Sequence, residues 1–404
     1  MMCRACNSPI TEFFSLGQMP LVNSFLKKEE ILGEEKFNLS VGFCSNCCLV
    51  QLMETVAPEK LFRDYIYFSS TSKFFLEHCR AIADELAARL KLNSDSLVVE
   101  IASNDGAQLS AFKDLNIKIL GIDPAANIAK VANNKGIPTL PEFFNYELAQ
   151  KLKAEGTQAD LIFGANVLAH VPGITDFAQG VKTILKPGGT AVFEFPYLLG
   201  LLEKKFDTIY HEHVFYYSLL ALRNLWQSVG LEVYDVEQTP MQGGSLKIFV
   251  AYPDAFAVSG NVDKLIDQEL QAGFDKLTTY QAMSDKVQSL KNELIDLLAK
   301  LKSEGLSIAA YSAPAKGNIL LNFFGINNNY LDFIVDKSGA KQGLYTPGTH
   351  LLVEPISKID EAKPDYLLIL CWNIADEIVN MPELAEYKKR GGKFIIPVPA
   401  IKII

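Results

Sequence analysis

Residues 97–106 read Leu-Val-Val-Glu-Ile-Ala-Ser-Asn-Asp-Gly. An apolar run of strand length ends near an acid, passes through turn formers and enters a helical pattern. Residues 117–124, Ile-Lys-Ile-Leu-Gly-Ile-Asp-Pro, repeat the scheme, again with an acid closing a strand. Strands are predicted at Ser96–Ile101, Ile117–Ile122, Asp160–Phe163 and Thr190–Phe195, with helical segments between them. That alternation predicts an α/β fold, a mostly parallel sheet covered by helices on both faces. Leu231–Val236 and Ser245–Ala251 flank turn formers at Pro240–Gly244, which predicts a closing antiparallel pair. Ahead of the first strand, Phe74, Phe75, His78, Ile82, Leu86 and Leu90 recur at helical spacing.

Outside this central block, 73–252, lie two others. Residues 253–404 open with a long helix whose apolar face carries Met283, Val287, Leu290, Leu294, Leu297, Leu298 and Leu301, with Gly305 as its stop signal. Strands at Ser307–Tyr311, Leu331–Val335, Tyr366–Leu370 and Lys393–Pro397 then predict a second α/β unit. Residues 1–72 hold five of the seven cysteines, with strand-like runs at Asn38–Phe43 and Leu49–Met53.

Cys3-x2-Cys6 and Cys44-x2-Cys47 are two knuckles. Thiolates at that spacing reach two corners of a tetrahedron from one turn, so the pair predicts a zinc site. Four thiolates leave no open position, which makes the zinc structural. Cys48 competes with Cys47 for the fourth place.

The chain has 404 residues, 49% apolar and 21% charged, enough for two or three cored domains. A net charge of −9 argues against a nucleic-acid or anionic-membrane binder. No apolar run approaches the roughly 18 residues of a membrane helix. An odd cysteine count and a start without a signal-like stretch lead to an expectation of a cytoplasmic protein; a monomer is the expected state.

Proton-handling groups crowd into 206–217, Phe-Asp-Thr-Ile-Tyr-His-Glu-His-Val-Phe-Tyr-Tyr. Histidines at 211 and 213 invite a metal reading, an acid–base pair, or a plain polar loop.

The strand–turn–helix at 97–106 resembles motif I of class I methyltransferases, although Ala102 and Asn104 stand where glycine is frequent. Asparagine tolerates the left-handed turn better than most residues. The absence of G-x-G-x-x-G favours S-adenosylmethionine over a dinucleotide. Together with the cysteine knuckles, Glu194-Phe195-Pro196-Tyr197, Tyr210-His211-Glu212-His213, Lys341-Gln342 and Thr346-Pro347-Gly348, the whole chain resembles the nucleotide-sugar C-methyltransferases. The resemblance implies a zinc-binding N-terminal domain, a class I methyltransferase Rossmann-like core and a C-terminal Rossmann-like domain. It implies C-methylation of a nucleotide-linked, often thymidine-diphosphate-linked, 4-keto-deoxysugar beside the ketone, commonly at carbon 3. His213, Glu212 and Tyr210 match its catalytic positions, with His170 and Tyr67 as further catalytic candidates. Glu100, Ala102, Asn104, Gly106, Asp123, Phe144 and Asn166 fall at its cofactor site. Lys316, Lys341 and Gln342 are candidates for holding the diphosphate of the substrate. The competing readings are a nicotinamide-dependent nucleotide-sugar oxidoreductase, a sugar-nucleotide-binding relative that does not methylate, and a zinc-ribbon nucleic-acid binder.

Overall fold

The computed structural model describes residues 1–62, 69–71, 73–203, 205–239 and 244–404. Tyr67 and the turn at 240–243 lie outside the described residues.

The central sheet has seven strands: β4 (Leu97–Ile101), β5 (Lys118–Ile122), β6 (Thr139–Leu140), β7 (Ala159–Ala165), β8 (Leu185–Pro196), β10 (Glu232–Thr239) and β11 (Ser245–Ala251). Their order is β10-β11-β8-β7-β4-β5-β6. The run from β8 to β6 is parallel, and β10 and β11 pair antiparallel, as the sequence predicts. From β4 the chain moves outward to β5 and β6, then returns to β7 on the other side of β4. A crevice opens at the carboxyl ends of strands where the winding reverses. Two helices frame it, α1 (Lys73–Leu90) and α2 (Ala107–Asp114). Ile82 and Leu86 of the predicted stripe are buried on α1.

The amino-terminal sheet has the order β1-β2-β3-β9, from β1 (Thr11–Pro20), β2 (Lys36–Phe43), β3 (Val50–Leu52) and β9 (Phe215–Tyr216). β1 escaped the sequence reading. Its register slips between Glu12 and Phe14 and again between Ser15 and Gly17, which erases the alternation that marks a strand. β9 comes from the far side of the catalytic-looking segment and pairs antiparallel with β3.

The carboxyl-terminal sheet runs β14-β13-β12-β15-β16-β17, from β12 (Ile308–Tyr311), β13 (Phe333–Val335), β14 (Val353–Glu354), β15 (Tyr366–Ile369), β16 (Lys393–Ile396) and β17 (Lys402–Ile403). All pairs but β16–β17 are parallel. The long helix is α3 (Leu277–Ser303); it buries Met283, Val287, Leu290, Leu294, Leu298 and Leu301, and Gly305 follows it at φ +78°. Helix α4 (Ala315–Phe324) follows β12.

The amino-terminal segment docks on this third unit. Leu26 and Tyr345 exchange backbone hydrogen bonds of 3.0 and 2.7 Å. The buried Asn318 amide donates to the Val22 carbonyl at 2.8 Å. Glu34 accepts from the Gly348 amide at 2.7 Å and faces His350 at 2.9 Å.

Candidate active site

A cavity of about 420 Å³ opens over the carboxyl ends of β4, β5, β7 and β8. Ten predicted site residues line it: Glu100, Ala102, Asn104, Asp123, Phe144, Asn166, His170, Tyr210, Glu212 and His213. The turn after β4 needs unusual backbone. Ala102, Asn104 and Gly106 all have positive φ, at +59°, +48° and +82°. Asn104 tolerates this conformation, as expected of asparagine; Ala102 adopts it at a steric cost. Gly106 caps α2 without lining the cavity, and a Cβ there would stand 2.9 Å from Ile137. Asp105 does not cap α2: its carboxylate takes Lys135 at 2.8 Å and the Ser70 hydroxyl.

Both Asp123 oxygens accept backbone amides, from Asn104 and Ala125, each at 2.9 Å. Each oxygen keeps a second lone pair for hydroxyl donors. Glu100 is almost wholly buried and one of its oxygens has no partner. Burial, reinforced by Asp123, raises its pKa well above the usual carboxylate range. Phe144 packs edge-on against Phe177 at 5.3 Å.

Residues 210–213 form a turn rather than a strand. Tyr210, Glu212 and His213 all reach the cavity, while His211 faces Phe37 on the other side. His213 Nδ1 lies 2.9 Å from the Thr208 carbonyl, which can only accept. Nδ1 therefore carries the hydrogen, and Nε2 accepts from the Tyr210 hydroxyl at 2.7 Å. Burial lowers the His213 pKa to about 3, with the neighbouring His170 adding to the effect. Burial also lowers His170 to about 4; the two rings are 5.0 Å apart. Glu212 accepts from the Asn23 side chain at 2.6 Å, and burial raises its pKa.

Phe206–Thr208, the turn bearing the Thr208 carbonyl, is fastened to the third unit. Asp207 is fully buried, accepts the Trp372 indole N–H at 2.5 Å, and is raised by burial to about 6. Phe206 stacks on Phe324 at 5.1 Å. Lys316 lies over the Trp372 ring at 4.9 Å and donates to Asn373 at 3.0 Å. Burial lowers its pKa, opposed by Asp207. Lys341 and Gln342 gather elsewhere, around Asp336, with Lys341 donating to the Ala313 carbonyl at 2.9 Å and Gln342 to the Asp336 carbonyl at 2.8 Å. None of these three lines the cavity.

At the other end of the chain, the sulfurs of Cys3, Cys6, Cys44 and Cys47 all lie within 4.8 Å of one another. Cys3–Cys47 and Cys6–Cys44 are 3.6 and 3.5 Å apart. A tetrahedral ion with sulfur ligands at about 2.3 Å needs edges of about 3.8 Å, so the four thiolates fit one zinc. Cys48 stands outside the group and burial pushes its thiol up to about 11.

Among the cavity residues not singled out from sequence are Asn23, His78 and Glu194. Asn23 is 189 positions from the carboxylate it holds, and nothing local marks it. In sequence His78 falls within an apolar helical stripe and Glu194 within a motif that assigns it no task. A polar residue on an apolar helix face, and an acid ending a buried strand, were the signals available.

Compared with known proteins, residues 75–236 match the model of a methyltransferase domain, 240–399 that of a C-methyltransferase C-terminal domain, and 3–62 that of a zinc binding domain. A C-methyltransferase of Streptomyces niveus, NovU, is 34% identical over 100% of this chain and 96% of its own length. The chain belongs to the C-methyltransferase family. Among solved structures, magnesium protoporphyrin IX methyltransferase of Synechocystis is 14% identical, covering 44% of this chain and 83% of its own, at a TM-score of 0.36. A methyltransferase of Anabaena variabilis is 13% identical, covering 49% and 100%, at 0.35. This C-methyltransferase thus uses S-adenosylmethionine and carries a zinc-binding amino-terminal domain. Among its described residues no helix is long and apolar enough to cross a membrane.

Proposed function

We propose that the enzyme methylates a ring carbon beside the ketone of a nucleotide-linked 4-keto-deoxysugar, at carbon 3, through an enolate. The observation that carries this reading is the Thr208–His213–Tyr210 chain opening on the cavity that also holds the cofactor candidates. S-adenosylmethionine supplies an electrophilic methyl group. The chain's own task is to make the acceptor carbon nucleophilic, which requires removing a proton beside a carbonyl. His213 Nε2 takes that proton once the Tyr210 hydroxyl turns from it to the ketone oxygen. Tyr210 then donates to the oxyanion as it develops. Burial keeps His213 neutral, so the base form is populated throughout the neutral range. The anion forming beside the ring raises its pKa as the proton arrives.

In this reading Glu212, steadied by Asn23, holds a sugar hydroxyl, and His170 backs the base. Tyr67 is proposed as a second hydroxyl donor; Ser69, two residues on, lines the cavity. Asp123 holds the ribose hydroxyls of the cofactor, with Glu100, Ala102, Asn104, Gly106, Asn166 and Phe144 around the rest. Lys316, at the start of α4 and beside the turn that carries Thr208, is the proposed diphosphate ligand, with Lys341 and Gln342 further along the same sheet edge. A thymidine diphosphate carrier and working units of 1–72, 73–252 and 253–404 complete the reading.

Incubation with methyl-labelled S-adenosylmethionine and a panel of nucleotide 4-keto-6-deoxysugars, followed by NMR of the product, tests it. A new carbon–methyl bond at carbon 3 is expected. Methylation on oxygen, or full transfer by the His213→Ala variant, would defeat the mechanism.

A further inference from the structure

We propose that His78 and Glu194 form the subsite for the amino-acid end of S-adenosylmethionine. Glu194 lies near the end of β8, 6% exposed, and lines the cavity. His78 projects from α1 into the same cavity, its Nε2 3.6 Å from Glu194 Oε2. An α-amino acid carries an ammonium and a carboxylate on one carbon. It needs a hydrogen-bond acceptor and a donor side by side, which the Glu194 carboxylate and an imidazole N–H of His78 supply.

Position along the sheet agrees. Asp123 follows β5 and Glu194 lies in β8, with β4 and β7 between them. Three strand spacings make about 14 Å between backbones, shortened by the reach of two side chains. An elongated ligand with its ribose at Asp123 therefore extends toward Glu194; the inference rests on that reading of Asp123.

Elimination agrees as well. Among the described residues lining the cavity there is no lysine or arginine. His170 and His213 are held neutral by burial. His78 is the remaining candidate to meet a carboxylate. Of the acids, Asp123 is assigned to the ribose and Glu212 to a sugar hydroxyl in the proposed reading, and burial drives Glu100 toward its neutral form. Glu194 is left for the ammonium.

Ion pairs tie helix α1 to the sheet. Lys247 pairs with Glu85 at 2.8 Å, and Arg89 with Glu237 at 2.7 Å and with Asp235. His78, Glu85 and Arg89 thus meet β8, β11 and β10 in turn, and His78 is the rung at the cavity.

Calorimetric titration of the full-length protein with S-adenosylmethionine, S-adenosylhomocysteine and methylthioadenosine tests this. The last keeps the adenine and ribose but lacks the amino acid. His78→Ala and Glu194→Gln should each weaken the first two ligands on the order of tenfold to a hundredfold, as for a lost charge-assisted bond. Methylthioadenosine should stay within about twofold. Equal losses for all three ligands, or unchanged S-adenosylhomocysteine affinity in either variant, would overturn the proposal. Asp123→Ala should weaken methylthioadenosine. If it does not, the ribose reading fails, whereas the subsite is still judged by the difference between S-adenosylhomocysteine and methylthioadenosine.

Discussion

Acid should destabilise this protein through His170 and His213. In an unfolded chain a histidine binds its proton near pH 6.5, whereas burial lowers these two to about 4 and about 3. Each contributes stability that is complete above pH 6.5 and is lost as pH falls toward the folded value, because the unfolded state binds the proton first. The slope is about 1.4 kcal/mol per pH unit for each ring, so the fall from 6.5 to 5.0 costs about 2 kcal/mol per histidine. With rings 5.0 Å apart, charging one opposes charging the other. Asp207, raised to about 6, works in the opposite sense, since its native form takes up a proton as pH falls. The wild-type curve alone therefore does not isolate the histidines, and a variant must. Urea unfolding at pH 7.5 and 5.0, followed by tryptophan fluorescence, should show His213→Gln losing about 2 kcal/mol less than wild type between the two conditions. Equal losses in the two proteins would refute the argument that burial holds this ring neutral.

Tyr210→Phe should lower kcat by about 10²- to 10³-fold, the cost of one oxyanion donor, with S-adenosylmethionine affinity unchanged by calorimetry. Elemental analysis should find about one zinc per chain in wild type and in Cys48→Ser, but much less in Cys6→Ser. Gly106→Ala must place a Cβ against Ile137 at positive φ; a loss of about 1–3 kcal/mol in denaturant unfolding is expected. Trp372→Phe should keep the fold but loosen the turn that carries Thr208, lowering kcat about tenfold or more without changing cofactor affinity.

What the sequence made legible is what repeats locally. Strand–turn–helix punctuation predicted every long parallel strand to within a few residues, because burial on both faces leaves apolar runs bounded by acids and turn formers. The cysteine spacing anticipated the four-sulfur group, and the structure separates Cys47 from Cys48, which spacing could not do. β1 was lost because its bulges break the period. The contacts that place His213 were invisible for another reason. Asn23 meets Glu212 across 189 positions and Trp372 meets Asp207 across 165, and no local pattern encodes such pairings. His211 and His213 look equivalent in sequence, yet one turn sends them to opposite sides.

The short strand β9 has a practical consequence for anyone building chimeras. It begins two residues after His213, yet its backbone completes the sheet that carries the cysteine knuckles. A crossover near residue 62 would transplant β1 to β3 while leaving their fourth strand with the recipient. The grafted edge would then have to match a foreign Phe215–Tyr216, and any misfit would be felt next to the proposed base. Recombination that preserves activity should move 1–62 and 206–217 together, as one spatial cassette drawn from two places in the gene.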